Sequence, residues 1–445
     1  MRVKLNNFII NSVLFYIISN YIFFSTLKIN DLYQTRFLIF LLLLQLPIFI
    51  FDDLRLKKYL KLKLFLVISV FVSAHFYINS IYINETVTLK QHLTVIALSL
   101  ISLISFYYKD LIIKKFDQIL LIFFAIFFSS SIINLLYYQP DSPTFCGGLP
   151  NIFGQFIVPE IHDLKGEFVS KYKLSYKEFL FKENSHIGMI APSIIIYLIF
   201  NYKKTSKLFF YSTLIFIILT FIKSSTTLHL GLIISLIPFV IFFRSKLDKK
   251  GFLVSILLIF YSSFNLLFDE ECRNRIGIHD NSKIFNYVKI LNQSFFYQTK
   301  INETETDDYS ESFFTSDSST STIVFFNSFT IMKKSLLDKP LGWGLNRYEN
   351  AFFKYNQTKG KFKKYNVKDA SNNFVKIIVE LGIFGLVFYY YVFYFFFSRN
   401  ISVREKSILI PFILIQSVRG AGYFNGGFIL IFFLILLIIY EKTKS

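Results

Sequence analysis

Charge is scarce in this chain. Only 17% of its 445 residues are Asp, Glu, Lys or Arg, against about 25% in soluble domains. Apolar residues make up 53%, and the mean hydropathy is +0.49. So much apolar surface cannot be hidden in a water-soluble core, which excludes an ordinary soluble enzyme. It equally excludes a disordered chain. Strand-like alternation is also missing: the apolar residues come in long runs, so an outer-membrane barrel is excluded. Cysteine is nearly absent, with only Cys146 and Cys272, and tryptophan occurs once, at Trp343. The six His show no metal-ligand spacing, so no metal and no other cofactor is expected. Internal inverted repeats with paired broken helices, the pattern of a secondary transporter, are not seen either.

What is present is aromatic and aliphatic bulk, with 58 Phe and 28 Tyr, and it implies an all-α polytopic membrane protein. Runs of roughly 17–25 apolar residues cross a bilayer as helices. Twelve are predicted, at 8–27, 36–51, 64–83, 92–108, 117–138, 186–201, 207–222, 227–243, 251–268, 374–397, 405–420 and 425–440. The net charge of +19 does not indicate nucleic acid, because most basic residues lie in short loops between these runs. Lys and Arg concentrate at 52–63, 109–115, 202–207, 244–250 and 398–404, and the intervening loops 84–91 and 223–226 hold one Lys each. Cytoplasmic loops carry such an excess. The alternation therefore places both termini in the cytoplasm and two long segments, 139–185 and 269–373, outside. The first run reads as a retained span, because no small-residue cleavage site follows it.

The chain divides on this reading into a membrane part at 1–268 with nine spans, an outside loop domain at 269–373, and a second membrane part at 374–445 with three spans. Cys146 and Cys272 fall in the two different outside segments. An oxidising compartment permits a bridge between them; two unrelated thiols fit the sequence as well. The 269–373 segment is too long for a structureless loop. It is expected to hold helices near 282–298 and 321–338, the second stopping before Pro340. A Pro-Gly-Trp-Gly turn then leads into another helix. Asp369 or Ser371 is a natural N-cap for the helix that returns to the membrane.

Pro340 to Gly344 and Tyr348 are followed, after a spacer, by Asn372, Asn373, Phe374, Glu380, Gly382, Ile383, Gly385 and Leu386. This pattern resembles the O-antigen ligase/polymerase superfamily, the Wzy polymerases and WaaL ligases. The stretch FLFKENSHIGMIAP at 179–192 is similar to that family's approach to a middle span, and QSVRGAGYFNGGF at 416–428 resembles a tail seen in some polymerases. Two departures bear on the choice. Asn372 stands where ligases usually have His, and Lys223-Ser224-Ser225 stands where many members have a Ser-Arg pair. Both point away from a ligase and toward a polymerase.

The resemblance implies an inverting glycosyltransferase on the outer leaflet. Its donor is a glycan linked through pyrophosphate to a polyprenyl lipid, and it joins repeat units into O-antigen or a related surface polysaccharide. The alternatives are a ligase that moves the glycan to lipid A core and, in another class, a polysaccharide or lipid flippase. Implied partners are the lipid-linked glycan, the bilayer, and a chain-length regulator or flippase protein. A pyrophosphate leaving group needs cations, and Arg binds phosphate oxygens with a planar fork. Arg419 and Arg347 are therefore catalytic candidates, against snorkelling and a solvated helix charge. Lys223, Arg273 and Arg275 are binding candidates; the two arginines equally suit pairing with Asp269 to Glu271. His186 is a candidate base, or it caps or lines its span. Glu380, a carboxylate inside a predicted span, is a functional candidate or the partner of a buried cation such as Arg419. Asn372 and Asn373 suit sugar or pyrophosphate binding, or helix capping. Trp343 suits sugar stacking, or a tight turn packed on the domain core.

Overall fold

The computed structural model describes residues 59–83, 87–121, 124–125, 128–129, 184–222, 225–268, 320–356, 366–368, 370–420 and 428–442. Helices dominate these residues and no strand occurs among them. In chain order the helices are α1 (Tyr59–Ile83), α2 (Leu89–Lys114), α3 (Asn184–Asn201), α4 (Lys207–Ile222), α5 (Thr226–Phe243), α6 (Lys249–Phe268), α7 (Thr320–Asp338), α8 (Tyr348–Tyr355), α9 (Asn373–Leu381), α10 (Ile383–Phe397), α11 (Val403–Val418) and α12 (Phe428–Lys442).

Most predicted runs coincide with a helix to within a few residues. Thr226–Lys246 is long and apolar enough to cross a membrane, and Leu66–Tyr82, Lys207–Phe221 and Ile383–Phe397 are shorter apolar helices. Two readings are corrected. The basic loop predicted at 109–115 is helical as far as Lys114. The run 374–397 is two helices, because Gly382 adopts φ 59° and ψ −132° between α9 and α10. Both predicted runs before residue 52, most of 117–138, and the expected helix near 282–298 lie outside the described residues.

Two compact units are formed. Of the described residues, the first comprises those within 110–272 and 402–415. Its centre is the packing of α3 against α5 and of α5 against α6. Gly231 makes the α3–α5 approach close: a Cβ there would meet Pro192 Cγ at 3.0 Å and Ile415 Cγ1 at 3.3 Å. Buried Tyr197 packs edge-on against Phe116 and Phe209 and donates its hydroxyl hydrogen bond to Asp117. Asn201 ties α3 to α11 by donating to Ser407 Oγ at 3.0 Å. The loop before α6 is pinned by Asp248, which accepts from the Gly251 amide at 2.8 Å and pairs with Lys203 at 3.2 Å.

The second unit comprises 35–109, 273–401 and 416–445. Its inner cluster joins α7, α8 and α9 through Ile331, Trp343, Tyr348, Phe352, Val375, Ile378 and Val379. A second aromatic contact joins α10 to α12, with the Phe388 and Phe432 rings 4.2 Å apart. Long apolar side chains such as Val70, Ile81, Tyr390 and Phe393 nevertheless face outward on α1 and α10. A water-soluble surface does not carry such a density of them, and lipid is the solvent that suits them.

Candidate functional site

Within the second unit, the Pro340–Gly344 turn and the α9–α10 corner are each other's packing partner. The Trp343 amide donates to the Val379 carbonyl at 3.0 Å and the Gly344 amide to the Glu380 carbonyl at 2.8 Å. In return the Ile383 amide donates to the Pro340 carbonyl at 2.8 Å. The glycines are what permit this approach. A Cβ on Gly342 would lie 2.4 Å from the Glu380 carbonyl oxygen, and one on Gly382 would lie 2.0 Å from that of Pro340. Gly342 and Gly382 also have φ of 89° and 59°, a region that costs glycine nothing. The two separated stretches of the motif thus form a single backbone clamp. Trp343 is buried in it, in edge contact with Tyr355, so packing on the domain core describes its place.

Glu380 lies fully buried beneath the clamp. One carboxylate oxygen accepts from the Asn346 amide at 2.8 Å, and the other from the Tyr348 amide at 3.2 Å. Those amides lead into α8, whose first turn has no side-chain cap. The carboxylate takes that place, as an anion suits a helix N-terminus. Lys376, one turn earlier on α9, comes within 3.6 Å of it and also donates to the Lys368 carbonyl at 2.5 Å.

Arg347 is 1% exposed. Its guanidinium donates to Ser80 Oγ at 2.9 Å and lies over the Phe76 ring at 5.7 Å. The neighbouring Asn346 donates to Thr94. His75 bonds the Leu341 carbonyl at 2.9 Å, and Asn79 bonds His75 at 3.1 Å. The C-terminal part of α1 therefore presents a polar stripe, His75, Asn79 and Ser80, to the turn. Arg347 is a cation enclosed by protein, not a solvated helix charge.

Asn372 is the N-cap of α9, in place of the expected Asp369 or Ser371. Its Oδ1 accepts from the Val375 amide at 2.7 Å, and its amide donates to Ser328 Oγ at 3.0 Å. Asn373 donates to Gln416 Oε1 at 3.3 Å. The Gly420 amide donates to the Ser371 carbonyl at 3.0 Å, and a Cβ on Gly420 would meet Asn373 at 2.5 Å. The Gln416–Gly420 stretch is thereby laid on the start of α9, which brings partly buried Arg419 beside the Asn372–Asn373 pair. Just ahead of the cap, Ala370 and Ser371 both take left-handed φ, 58° and 62°. Such strain costs about 1–3 kcal/mol per residue and persists only where surrounding contacts impose it.

A shallow cleft of about 380 Å³ opens on the same unit, lined by Lys334, Leu337, Asp338, Lys354 and Tyr355. Asp338 accepts from Lys354 at 2.7 Å and from the Tyr355 hydroxyl. These hydrogen bonds hold its carboxyl below the usual range.

In the first unit, the starts of α3 and α5 are also brought together. A Cβ on Gly188 would meet the Leu228 amide nitrogen at 2.7 Å and Ser225 Oγ at 2.8 Å, so the start of α3 lies directly on the start of α5. Ser225 caps α5 by accepting from the Leu228 amide at 3.3 Å. The backbone of His186 lies in the first turn of α3. The His186 side chain, Lys223, Arg273, Arg275, Cys146 and Cys272 lie outside the described parts.

Sequence reasoning missed Lys376, Ser80, His75 and Asn79. The signals were present: a lysine four residues before Glu380 in an apolar stretch, and polar residues one turn apart within the run 64–83.

Residues 211–390 match the family model Wzy_C, described as O-antigen ligase. The match covers the turn, the clamp and Glu380, and it bears out the resemblance to the O-antigen ligase/polymerase superfamily over that stretch. No curated protein and no solved structure matches.

Proposed function

We propose that the chain is an integral membrane glycosyltransferase of the O-antigen polymerase type, acting at the outer leaflet of a bacterial inner membrane. The observation that carries this is the O-antigen ligase family match over residues 211–390. In the proposed reaction an acceptor sugar hydroxyl oxygen forms a bond to the anomeric carbon of a polyprenyl-pyrophosphate-linked glycan. The bond from that carbon to the pyrophosphate oxygen breaks, and the electron pair leaves on the pyrophosphate. The hydroxyl proton passes to a base, for which His186 is the proposed group. Attack from the face opposite the leaving group inverts the anomeric centre.

The roles divide by burial. Arg419 is the cation proposed for the pyrophosphate, because it is partly exposed beside Asn373. Asn373 is proposed to bind the donor with it, and Lys223, Arg273 and Arg275 are each proposed as substrate-binding residues. Arg347 and Glu380 are enclosed, so both are proposed as positioning residues that hold the turn. Both termini are proposed to be cytoplasmic and the 269–373 segment to begin outside.

A ligase is the second reading, favoured by the description of the matched family. The use of Asn372 as a helix cap supports the polymerase, because the position where ligases carry His is here occupied by a structural contact. The test is surface polysaccharide from a host deleted for the gene, resolved on a gel and complemented with wild type and with Arg419→Ala at matched expression. A polymerase leaves single-repeat product on the lipid acceptor when deleted. A ligase leaves lipid-linked polymer and no capped acceptor. An unchanged gel overturns both, and a full ladder with Arg419→Ala overturns the role given to that residue.

A further inference from the structure

We propose that the Lys339–Gly344 turn is a re-entrant element that lies in the outer leaflet against α1, with Leu341 and Ile383 facing lipid acyl chains and Lys339 at the phosphate level. The proposal rests on the membrane reading above and moves this part of the 269–373 segment out of the aqueous compartment.

The first observation is depth. Leu66–Tyr82 is the apolar part of α1, and the loop charges put its Tyr82 end outside. Lys339 Nζ lies over the Tyr82 ring at 5.4 Å, so this lysine marks the end of the apolar stretch. The Leu341 carbonyl is bonded to His75, about 10 Å further down the helix at 1.5 Å per residue. Phe384, just past the corner, packs edge-on against Phe71 with centroids 4.9 Å apart, one further turn down. Half of a bilayer's hydrocarbon core is about 15 Å, so the turn lies within it.

The second observation is exposure. Leu341 is 57% exposed and Ile383 51%, as much as the outward apolar residues of α1, where Val70 is 66% exposed. Water disfavours such a surface, whereas acyl chains accept it.

The third observation is backbone pairing. Irregular backbone at membrane depth is tolerated only where its polar groups are satisfied by protein. Pro340 has no amide hydrogen. The Gly342, Trp343 and Gly344 amides donate to the Lys339, Val379 and Glu380 carbonyls, and the Pro340 and Leu341 carbonyls accept from the Ile383 amide and from His75.

The single tryptophan makes the test direct. In a Trp343→Phe background, Leu341→Trp is reconstituted into vesicles of phosphatidylcholine brominated on its acyl chains, and emission is compared with unbrominated vesicles and with iodide in the water. Val70→Trp in the same background reports the span itself, and Ile383→Trp is a second probe of the turn. The expected result is a loss of emission to brominated lipid at Leu341→Trp comparable with that at Val70→Trp, with little loss to iodide. Iodide quenching at both turn probes, with brominated-lipid quenching kept at Val70→Trp, overturns the proposal and leaves the membrane reading intact. Absence of brominated-lipid quenching at Val70→Trp overturns both.

Discussion

Replacing Gly382 with Ala tests the clamp at its tightest point. The added Cβ would lie 2.0 Å from the Pro340 carbonyl oxygen, 2.4 Å from the Gly342 nitrogen and 2.5 Å from the Leu341 carbonyl carbon. All three neighbours are backbone, so no side chain can swing away. The φ of 59° with ψ of −132° adds about 1–3 kcal/mol of strain for any residue with a Cβ. Relieving the overlap costs about 1–3 kcal/mol, and the Ile383 to Pro340 hydrogen bond accounts for about 1 kcal/mol if it breaks. The total is about 3–7 kcal/mol, or, at about 2.1 cal/mol/K of unfolding entropy per residue, a fall of roughly 3–7 °C in the thermal midpoint of purified protein in detergent. Gly231→Ala is the comparison, because its Cβ would meet only side-chain atoms of Pro192 and Ile415, none closer than 3.0 Å. If Gly382→Ala melted within a degree or so of wild type while Gly231→Ala melted lower, the turn and the corner would not be in backbone contact.

Three further outcomes are expected. Glu380→Ala leaves the Lys376 ammonium and two amides without their carboxylate, a loss of about 3–5 kcal/mol. Lys376→Met should cost less, because the carboxylate keeps both amides, and equal losses in thermal denaturation would contradict the capping role of Glu380. Asn372→Ala should cost at least about 1 kcal/mol through the lost cap, and Asn372→Asp, which keeps the acceptor, should recover part of it in the same assay. Asp248 is held down to about 2, first by the hydrogen bond from Tyr202 and then by the Gly251 amide and Lys203. A depressed carboxylate stabilises the fold above its unfolded value of about 3.9, and that contribution is lost as pH falls through the folded value. The midpoint gap between wild type and Asp248→Asn should therefore be constant above about pH 4–5 and shrink toward pH 2; a gap that widened on acidification would reverse the sign of the argument.

The sequence was most informative where the physics is local. Apolar runs located α3 to α6 closely, Pro340 marked the end of α7, and the glycines around Trp343 announced a tight turn. It was least informative where distant residues act on each other. The run 374–397 reads as one helix because its apolar content is nearly continuous; the break at Gly382 is held by the turn at Pro340–Gly344. The left-handed Ala370 and Ser371 have no local signature, since contacts with Gly420 and Ser328 hold that segment in place. Glu380 stands out in the sequence as a carboxylate within an apolar run, but its use as a cap for α8 depends on a helix that begins more than thirty residues earlier. Lys376 stands four residues before Glu380 in the sequence, but its pairing with that carboxylate and with the Lys368 carbonyl is set by the fold.

The clamp also has a consequence for the chain that runs between its two jaws. The Ile383 amide donates to the Pro340 carbonyl, so the intervening stretch leaves and returns at one anchor, like a handle fixed to a lid. Closure entropy grows only slowly with the length of chain between two fixed ends, by about 0.6 kcal/mol per doubling. An epitope tag or a small folded module inserted between Asn356 and Asn366 should therefore leave the anchor in register. Lengthening the chain by one residue between Pro340 and Gly344 would shift every pairing in it. Variation in length on this side of the molecule is thus expected to accumulate in the handle, and the jaws to admit none.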